Sequence, residues 1–467
     1  MNKEKAKSNV CQIEYCKRPT HKESKYCIFH ASAEEKTEKE FKKALKEYIQ
    51  EIKEEDKDYN FRDFIFIGYI EFNNTVFKTD YTSFMGATFQ GYVEFIAATF
   101  IGCSLFFGAT FKGDVRFIGA DFQGYADFRE ATFEEAANFW GATFEGDAYF
   151  EEATFKGDAD FRKAKFLLLN NFTGATFEGD ADFGNVIFSP GNKLNLKVKG
   201  SGIISFEHTF LENVFLDLGL DNGVLINFTD SLLGNTKAQK KQIENHILQE
   251  GRKEFSQARE VFLLLKNNFH SIGRYEDESW AFKKEKDMER LSYSFNSFTK
   301  NMESKEKRNM GKVPIEKKSK FISFFNWLKT KYFRKWLYSC FFNIIYGYGE
   351  KPQNVIFTAI FIIILCSIFF SILGINSLEI IEMKSPTVHE IFNSNSEIIS
   401  KGNLLNKTTN YFIDCLYFSA ITFTTLGYGD FRPLEGWGRI LAGSEAFIGA
   451  FMMALFVYTF ARRTGGR

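Results

Sequence analysis

The chain has 467 residues, too many for one ordinary domain, so several modules are expected. Lysine plus arginine equals aspartate plus glutamate, at 59 each, and this balance gives no indication of a nucleic-acid or acidic partner. The seven cysteines do not form the pattern of a disulfide framework, whereas the 57 phenylalanines far exceed average usage and require a local explanation.

Residues 1–33 contain a cysteine–histidine motif. Cys11, Cys16, Cys27 and His30 follow the spacing C-x4-C-x10-C-x2-H. Three sulfurs and one imidazole make a closed tetrahedral ligand set for structural Zn²⁺, and a bound metal would stabilise a segment too short for a core of its own. The segment resembles small zinc-knuckle modules, here with Lys-Arg-Pro after the second cysteine. Three unrelated free thiols are the alternative interpretation.

Residues 34–60 are predicted to form an amphipathic helix that covers the start of the next module. Apolar residues recur at helical spacing between charged residues from position 34 to position 55. Such a helix needs an apolar surface to pack on, and the end of a repeat provides one. The apolar positions are Phe41, Leu45, Tyr48 and Ile52.

Residues 61–232 contain a repeat. From about Phe72 to Phe188, phenylalanines alternate at steps of five and six residues, and a small residue lies two positions before most of them. Neither a helix nor a single strand has this period, and a short fixed period with small and large inward residues indicates the stacked coils of a solenoid. The small inward residues include Ala120, Ala126, Ala131, Ala142, Ala153 and Ala159.

The repeat resembles the pentapeptide-repeat family. The resemblance implies a right-handed, four-sided β-helix with roughly 22 residues per coil, and a rod about 25–30 Å long. The pattern weakens over residues 189–232, where one last irregular coil is expected. Helices at 34–55 and 236–270 are predicted to cover the two ends, because an open end leaves backbone groups unpaired.

Two interpretations of the rod remain open. Members of the family mimic DNA and bind topoisomerases, and acidic residues outnumber basic ones on the rod by about two to one. A membrane-anchored docking or DNA-mimic protein is therefore one alternative. A rigid spacer, or a docking surface for an unknown regulatory ligand or protein, is the simpler interpretation, and no nucleic-acid partner is expected.

Residues 233–310 are predicted to form a helical linker or hairpin with a break near Gly273, and residues 311–350 form a basic aromatic segment. Aromatic rings and basic side chains both favour the lipid–water boundary, so the second segment is predicted to lie at a membrane interface. The apolar stripe of the helical region consists of Ile243, Ile247, Val261, Phe262, Leu265 and Phe269.

Residues 351–467 are predicted to hold two membrane spans and a re-entrant helix. Residues 354–375 carry no charge, and their length suffices for a hydrocarbon core of about 30 Å. A second apolar stretch, 437–460, is interrupted only by an arginine near its start and by Glu445. Between them, from Tyr411, an amphipathic aromatic stretch of about thirteen residues is too short to span and predicts a half-helix that enters and leaves on one side.

The half-helix runs into Thr-Leu-Gly-Tyr-Gly-Asp, which resembles the selectivity filter of potassium channels. Glycines permit backbone conformations in which carbonyls point at a dehydrated ion. By this resemblance the first four residues supply carbonyl ligands for K⁺, the threonine adds its hydroxyl, and the aspartate attracts cations at the outer mouth. The implied filter is Thr425, Leu426, Gly427, Tyr428, Gly429 and Asp430.

The resemblance also assigns residues around the filter. Tyr417, Phe418 and Thr424 of the pore helix would support it from behind. Gly449 is interpreted either as a gating hinge of the inner helix or as a site of close helix packing. Glu445 is costly in lipid and is predicted to face protein or water, although the sequence does not name its partner.

Membrane orientation follows from the distribution of charge. Basic residues crowd the segment before residue 351 and follow the second span, whereas the loop 376–410 is slightly acidic. The positive-inside rule therefore predicts a multi-pass plasma-membrane protein with both termini in the cytoplasm, and we expect a prokaryotic source. A second Gly-Tyr-Gly sequence, at 347–349, has neither a threonine nor a pore helix before it and is predicted to be a turn.

Together these segments predict a multidomain membrane protein with a β-helix, a helical hairpin and an all-α pore domain. One chain supplies one wall of a filter, so the resemblance implies a homotetramer that conducts K⁺ and is regulated through its cytoplasmic N-terminal domains. A non-selective cation channel is a further alternative. No phosphate-binding loop, nucleophile arrangement or open metal site indicates an enzyme.

Overall fold

The structure is a computed structural model. It divides into two compact units, Met1–Ser292 and Tyr293–Arg467. The residues that it describes are 10–309, 320–377, 400–434 and 436–464.

A four-sided solenoid of short parallel strands dominates the first unit. The first face consists of β1 (Tyr59–Asn60), β5 (Tyr81–Ser83), β9 (Cys103–Leu105), β13 (Ala126–Asp127), β17 (Ala148–Tyr149), β21 (Asn170–Asn171), β25 (Lys193–Gly200) and β28 (Phe215–Leu220). The second face consists of β2 (Ile65–Phe66), β6 (Thr88–Phe89), β10 (Thr110–Phe111), β14 (Thr132–Phe133), β18 (Thr154–Phe155) and β22 (Thr176–Phe177), with the end of β25.

The two other faces complete each coil. The third face consists of β3 (Ile70–Glu71), β7 (Val93–Glu94), β11 (Val115–Arg116), β15 (Ala137–Asn138), β19 (Ala159–Asp160), β23 (Ala181–Asp182), β26 (Ile203–Ser205) and β29 (Leu225–Asn227). The fourth face consists of β4 (Val76–Phe77), β8 (Thr99–Phe100), β12 (Asp121–Phe122), β16 (Thr143–Phe144), β20 (Lys165–Phe166), β24 (Ile187–Phe188), β27 (Phe210–Glu212) and β30 (Leu232–Gly234). Within the described residues these strands make eight coils.

The register of the strands confirms the predicted coil length. Thr132 pairs with Thr154, and Thr154 pairs with Thr176, so a residue in the central coils stacks on the residue 22 positions away. The first coil is offset by 23 residues instead, because Tyr59 pairs with Thr82. The phenylalanines follow the same register and form columns inside the rod. The rings of Phe128 and Phe150, for example, are parallel with their centroids 5.0 Å apart. This separation is close to the spacing of about 4.8 Å between neighbouring strands, so backbone pairing and ring stacking reinforce each other.

The alternation of five- and six-residue steps also has a structural reason. Residues at eleven-residue intervals adopt left-handed φ angles, as Gly141, Glu152 and Lys163 do at 65°, 55° and 58°. These residues turn the corner in the five-residue steps. In the six-residue steps the corner instead brings backbones together, and a Cβ on Gly146 would lie 2.5 Å from the backbone of Gly124 in the preceding coil. The two kinds of corner need different numbers of residues.

The solenoid is longer than its sequence pattern indicated. Residues 189–234 form two coils instead of one irregular coil, and eight coils give a rod about 34 Å long. Leucine, valine and isoleucine replace phenylalanine and alanine in these coils, so the pattern weakens although the inward positions stay apolar. Leu194, Leu216 and Val224 are all fully buried or nearly so. Strand β25 runs through a corner and pairs with both β21 and β22.

Helices lie against both ends of the solenoid. At the start, α1 (Glu38–Glu55) buries Phe41, whose ring meets Phe66 of the first coil edge to face. At the other end lie α2 (Lys240–Ile243), α3 (Leu248–Gly251), α4 (Phe255–Ser271) and α5 (Tyr275–Ser292). The single helix predicted over 236–270 is wrong, because Lys237 and Ile247 continue the parallel pairing beyond the last coil. The chain turns at Gly273, as predicted, with φ of 71°.

The second unit is helical. Its elements are α6 (Phe295–Asn309), α7 (Lys320–Leu328), α8 (Lys331–Tyr346), α9 (Pro352–Leu373), β31 (Ile375–Ser377), α10 (Ser400–Phe423), β32 (Phe431–Pro433) and α11 (Trp437–Thr464). Within the described residues, α9 and α11 are long and apolar enough to cross a membrane. Much of the loop 376–410 used to predict the orientation lies outside the described residues.

Candidate ion pore and metal centre

The predicted pore helix is α10. It is longer than the half-helix predicted from Tyr411, because the polar residues from Ser400 are helical as well. Its apolar part packs against α9, and the ring of Phe418 meets that of Phe370 with centroids 4.9 Å apart. The helix ends at Phe423, where two consecutive threonines and a glycine-rich sequence follow.

The loop 425–430 reverses the chain after α10. The amides of Leu426 and Gly427 donate back to the carbonyl of Ile421 in α10. Thr425, Gly427 and Gly429 adopt φ angles of 58°, 46° and 81°. A left-handed φ is rare for a β-branched residue such as Thr425, so the surroundings must hold this conformation. Beyond the loop, β32 pairs antiparallel with β31 and thereby ties the loop to the end of α9.

The side chains assigned to support the loop occupy different environments in one chain. Phe418 is buried against α9, whereas Tyr417 is 40% exposed and meets the ring of Phe431. Thr424 donates its hydroxyl to the carbonyl of Ala420 at 2.7 Å. Tyr428 is 69% exposed. One chain therefore does not enclose the loop. Of the assigned support residues, Tyr417 reaches the loop through a hydrogen bond between its hydroxyl and the Asp430 carboxyl group.

Gly449 and Glu445 of α11 both contact α10 directly. A Cβ on Gly449 would lie 1.8 Å from the carbonyl oxygen of Phe423, so this glycine allows the end of α10 to approach the helix backbone. Glu445 is only 1% exposed, and its Oε1 lies 2.5 Å from the Oγ of Ser419 on α10. Glu445 thus faces protein, as predicted, and Ser419 is the partner that the sequence did not identify.

The second Gly-Tyr-Gly sequence is a turn, as predicted. Tyr348 has φ of 59° and is buried, and its hydroxyl lies 3.1 Å from the carbonyl oxygen of Ser339 in α8. Arg462, near the end of α11, donates to the carbonyl of Tyr348 and pairs with Glu350 at 3.3 Å. The turn therefore links the first span to the end of the second, a role that spacing alone did not indicate.

The four predicted metal ligands converge at the start of the first unit. All ligand atoms of Cys11, Cys16, Cys27 and His30 lie within 4.8 Å of one another. The Sγ atoms of Cys16 and Cys27 are 3.8 Å apart, and the Sγ of Cys27 is 3.2 Å from the Nδ1 of His30. A tetrahedral zinc with bonds of 2.0–2.3 Å would separate its ligands by about 3.5–3.8 Å, so the set fits such an ion.

The surroundings of the cluster also suit a metal. Burial raises the pKa of the Cys27 thiol to about 12 and lowers the pKa of His30, so the imidazole is neutral while an isolated thiolate is disfavoured. A cation would hold the sulfurs as thiolates. The Nε2 of His30 lies 3.1 Å from the carbonyl oxygen of Arg62, which fixes the tautomer that presents Nδ1 to the cluster.

The cluster is attached to the solenoid and to α1. Phe29 stacks on Phe64 with ring centroids 4.5 Å apart, and its carbonyl accepts from the amide of Ile65 at 2.8 Å. Lys36 is buried, and its ammonium donates to the carbonyls of Ile28, Phe29 and Ile65. A buried lysine is not recognisable from sequence, because its three acceptors are backbone groups of two separate segments.

Comparisons with known proteins match both principal regions. Residues 391–465 match the ion channel family, and residues 95–143, 106–154, 131–167 and 150–194 match pentapeptide repeats. A stretch of 51 residues is 45% identical to "Two pore potassium channel a" from Oryza sativa subsp. japonica. This stretch makes up 11% of this chain and 15% of that protein. The chain thus covers less than a sixth of that relative's length. No solved structure matches the chain.

These matches bear on four predictions. They confirm the pentapeptide-repeat solenoid and the ion channel pore domain. Neither family is enzymatic, in agreement with the prediction that the chain is not an enzyme. With two candidate spanning helices among the described residues, the pore domain makes this a membrane protein.

Proposed function

We propose that this chain, a pentapeptide-repeat solenoid joined to an ion channel pore domain, assembles as a homotetrameric potassium channel. The proposal rests above all on the loop 425–430, which follows a helix packed between two apolar spans and carries Thr-Leu-Gly-Tyr-Gly-Asp. Four such loops around one axis would offer K⁺ successive rings of carbonyl oxygens in place of its water. The relative in rice is named a potassium channel, which agrees with this ion.

The proposed filter residues have separate roles. Thr425, Leu426, Gly427 and Tyr428 would supply the carbonyl oxygens, and Thr425 would add its hydroxyl at the inner end. Gly427 and Gly429 adopt left-handed φ angles that other residues rarely take. The exposure of Leu426 and Tyr428 in a single chain, 60% and 69%, is consistent with burial against other subunits. Asp430 would concentrate cations at the outer mouth, and Gly449 could serve as a hinge of the inner helix.

Bi-ionic reversal potentials of the purified full chain in planar bilayers test this proposal. With K⁺ on one side and Na⁺ on the other, we expect a reversal potential that indicates strong K⁺ preference. Gly427→Ala should abolish it, whereas Gly443→Ala should not, because a Cβ there meets no atom within 4 Å. A non-selective current would support the ion channel function and refute the proposed potassium selectivity. An intact tetramer without current would favour a membrane-anchored docking protein.

We further propose that the Cys11–Cys16–Cys27–His30 cluster holds one structural Zn²⁺ per chain. This assignment rests on the convergence of four donor atoms, three of them from buried residues. Four protein ligands complete a tetrahedral site and leave no open position for catalysis. Elemental analysis of the purified chain should give one zinc per subunit. Cys27→Ser should lower the zinc content, whereas Cys103→Ser, a half-buried cysteine of the solenoid, should leave it unchanged. Equal zinc loss in both variants would contradict the assignment.

The first unit is proposed to be cytoplasmic and to regulate the pore through an unknown ligand or partner. Basic residues before the first span and at the end of α11, including Arg462 and Arg463, support a cytoplasmic location of both termini. Removal of residues 1–292 should leave K⁺ selectivity intact and change open probability. An unchanged open probability would mean that the solenoid serves only as a spacer.

A further inference from the structure

The buried carboxyl group of Glu445 belongs to a chain of polar groups that crosses all three pore-forming helices. Glu445 lies on α11, Ser419 on α10, and the carbonyl of Ile363 on α9. The Ser419 hydroxyl oxygen lies 2.5 Å from Glu445 Oε1 and 2.9 Å from the Ile363 carbonyl oxygen. Ser419 is 0% exposed and Glu445 is 1% exposed, so neither group faces water or lipid in this arrangement.

The number of hydrogens available decides how these groups are bonded. A serine hydroxyl has one hydrogen to donate, and a backbone carbonyl can only accept. If Ser419 donated to an ionised Glu445, the Ile363 carbonyl oxygen would face the Ser419 oxygen at 2.9 Å without a hydrogen between them. Glu445 would also hold a full charge in an apolar interior, where the thiol of Cys366 is a weak hydrogen-bond donor to it.

A proton on Glu445 removes this conflict. The carboxylic acid then donates to Ser419 Oγ, and the Ser419 hydroxyl donates to the Ile363 carbonyl. Both short oxygen–oxygen contacts are then hydrogen bonds. The neutral acid also avoids the cost of an unpaired buried charge. The thiol of Cys366 on α9 is also within hydrogen-bonding reach of this carboxyl group.

We infer that Glu445 is a protonated positioning residue, which fixes α10 between the two spans through Ser419 and so holds the filter loop in place. Ser419 lies six residues before Thr425, on the part of the helix that leads into the loop. The inference deepens the proposed channel function and rests on it for its consequence on permeation. The protonation and the bonding of Glu445 can be tested whether or not the pore conducts.

Infrared spectroscopy of the full chain in lipid at neutral pH tests the protonation. The wild type should show a carbonyl band of a protonated carboxylic acid that Glu445→Gln lacks. Ser419→Ala should shift this band, because the acid loses its acceptor. Identical acid bands in wild type and Glu445→Gln would overturn the inference, as would a band unaffected by Ser419→Ala. This measurement needs no current, so a failure of the proposed channel function would leave its outcome interpretable.

Permeation supplies the second readout. Glutamine can donate its amide hydrogen to Ser419 as the acid does, so Glu445→Gln should keep selectivity and open probability within about twofold of wild type. Glu445→Ala and Ser419→Ala should each lower the fraction of conducting, selective channels by about tenfold, because they leave a buried polar group unpaired. An equal loss of conducting, selective channels in Glu445→Gln and Glu445→Ala, with all variants still tetrameric, would overturn the positioning role.

Discussion

In the solenoid, Phe150 is fully buried by its own chain, whereas in the pore unit Phe447 on α11 is 77% exposed. The solenoid stacks each coil on a similar neighbouring coil, so apolar side chains and backbone groups find partners within one chain. The pore unit offers long apolar helices and an unenclosed loop, which would be covered by lipid and, in the proposed tetramer, by other subunits. We therefore expect mutations in the solenoid to affect stability, and mutations in the pore to affect assembly and permeation.

The largest effect is expected from Gly449→Ala. The new Cβ would lie 1.8 Å from the Phe423 carbonyl oxygen, and a backbone atom at the end of α10 cannot move aside cheaply. Current should disappear and the tetramer yield should fall, while the unfolding of the solenoid stays unchanged. Gly443→Ala on the same helix is the matched control. Normal current in Gly449→Ala would show that α10 and α11 do not pack this closely in the working channel.

Zinc removal is the second test and acts on the other unit. Chelation of the metal, or Cys27→Ser, should destabilise the segment that covers the first coil by several kcal/mol, because the free energy of metal binding is lost. The destabilised segment should then be cleaved more readily by proteases. Limited proteolysis of the full chain, with Cys103→Ser as control, would measure this. Permeation selectivity should not change. A change of K⁺ preference on chelation would contradict the expectation that the stability of the first unit and the selectivity of the pore are independent.

Phe150→Ala tests the internal columns of the solenoid. Its ring lies between those of Phe128 and Phe172, at 5.0 and 4.6 Å, and deletion of a fully buried phenylalanine costs about 3–5 kcal/mol. Phe210→Ala removes the same group where it is 66% exposed and should cost less than about 0.5 kcal/mol. Chemical denaturation followed by circular dichroism compares the two. Similar losses would mean that burial in the column does not stabilise the rod.

The smallest effect concerns pH. Hydrogen bonds from Tyr69 and Tyr92 hold the pKa of Glu94 below its usual range despite burial. Because the folded-state pKa is the lower one, this stabilisation is present above the unfolded pKa of about 4.3 and is lost as pH falls through the folded value. Glu94→Gln should therefore be less stable than wild type near neutral pH, by on the order of 1 kcal/mol.

The difference in unfolding free energy between wild type and Glu94→Gln should shrink as the solution is acidified. The exposed Glu145, changed to glutamine, is the control and should show no such trend. A difference that grows toward low pH would reverse the assigned direction of the pKa shift.

Much of the molecule could be predicted from sequence because the relevant interactions are local or repeated. The five- and six-residue steps predicted the coil length, because two steps of each kind add up to the 22-residue offset seen in the central coils. The metal ligands could be chosen from spacing and chemistry, and the two spans from length and apolar character. The last two coils were underestimated, because leucine and valine fill inward positions without repeating the phenylalanine pattern.

By itself, the sequence determined which residues point inward in the rod, which segments are long and apolar enough to cross a membrane, and which loop resembles a filter. Only the tertiary structure decided that Glu445 meets Ser419, that Gly449 admits the end of α10, and that Lys36 binds three backbone carbonyls. The physical reason is that periodicity and motifs report a residue's own conformation and polarity. A buried polar partner or a close backbone approach depends instead on segments far apart in the chain, which only folding brings within contact distance.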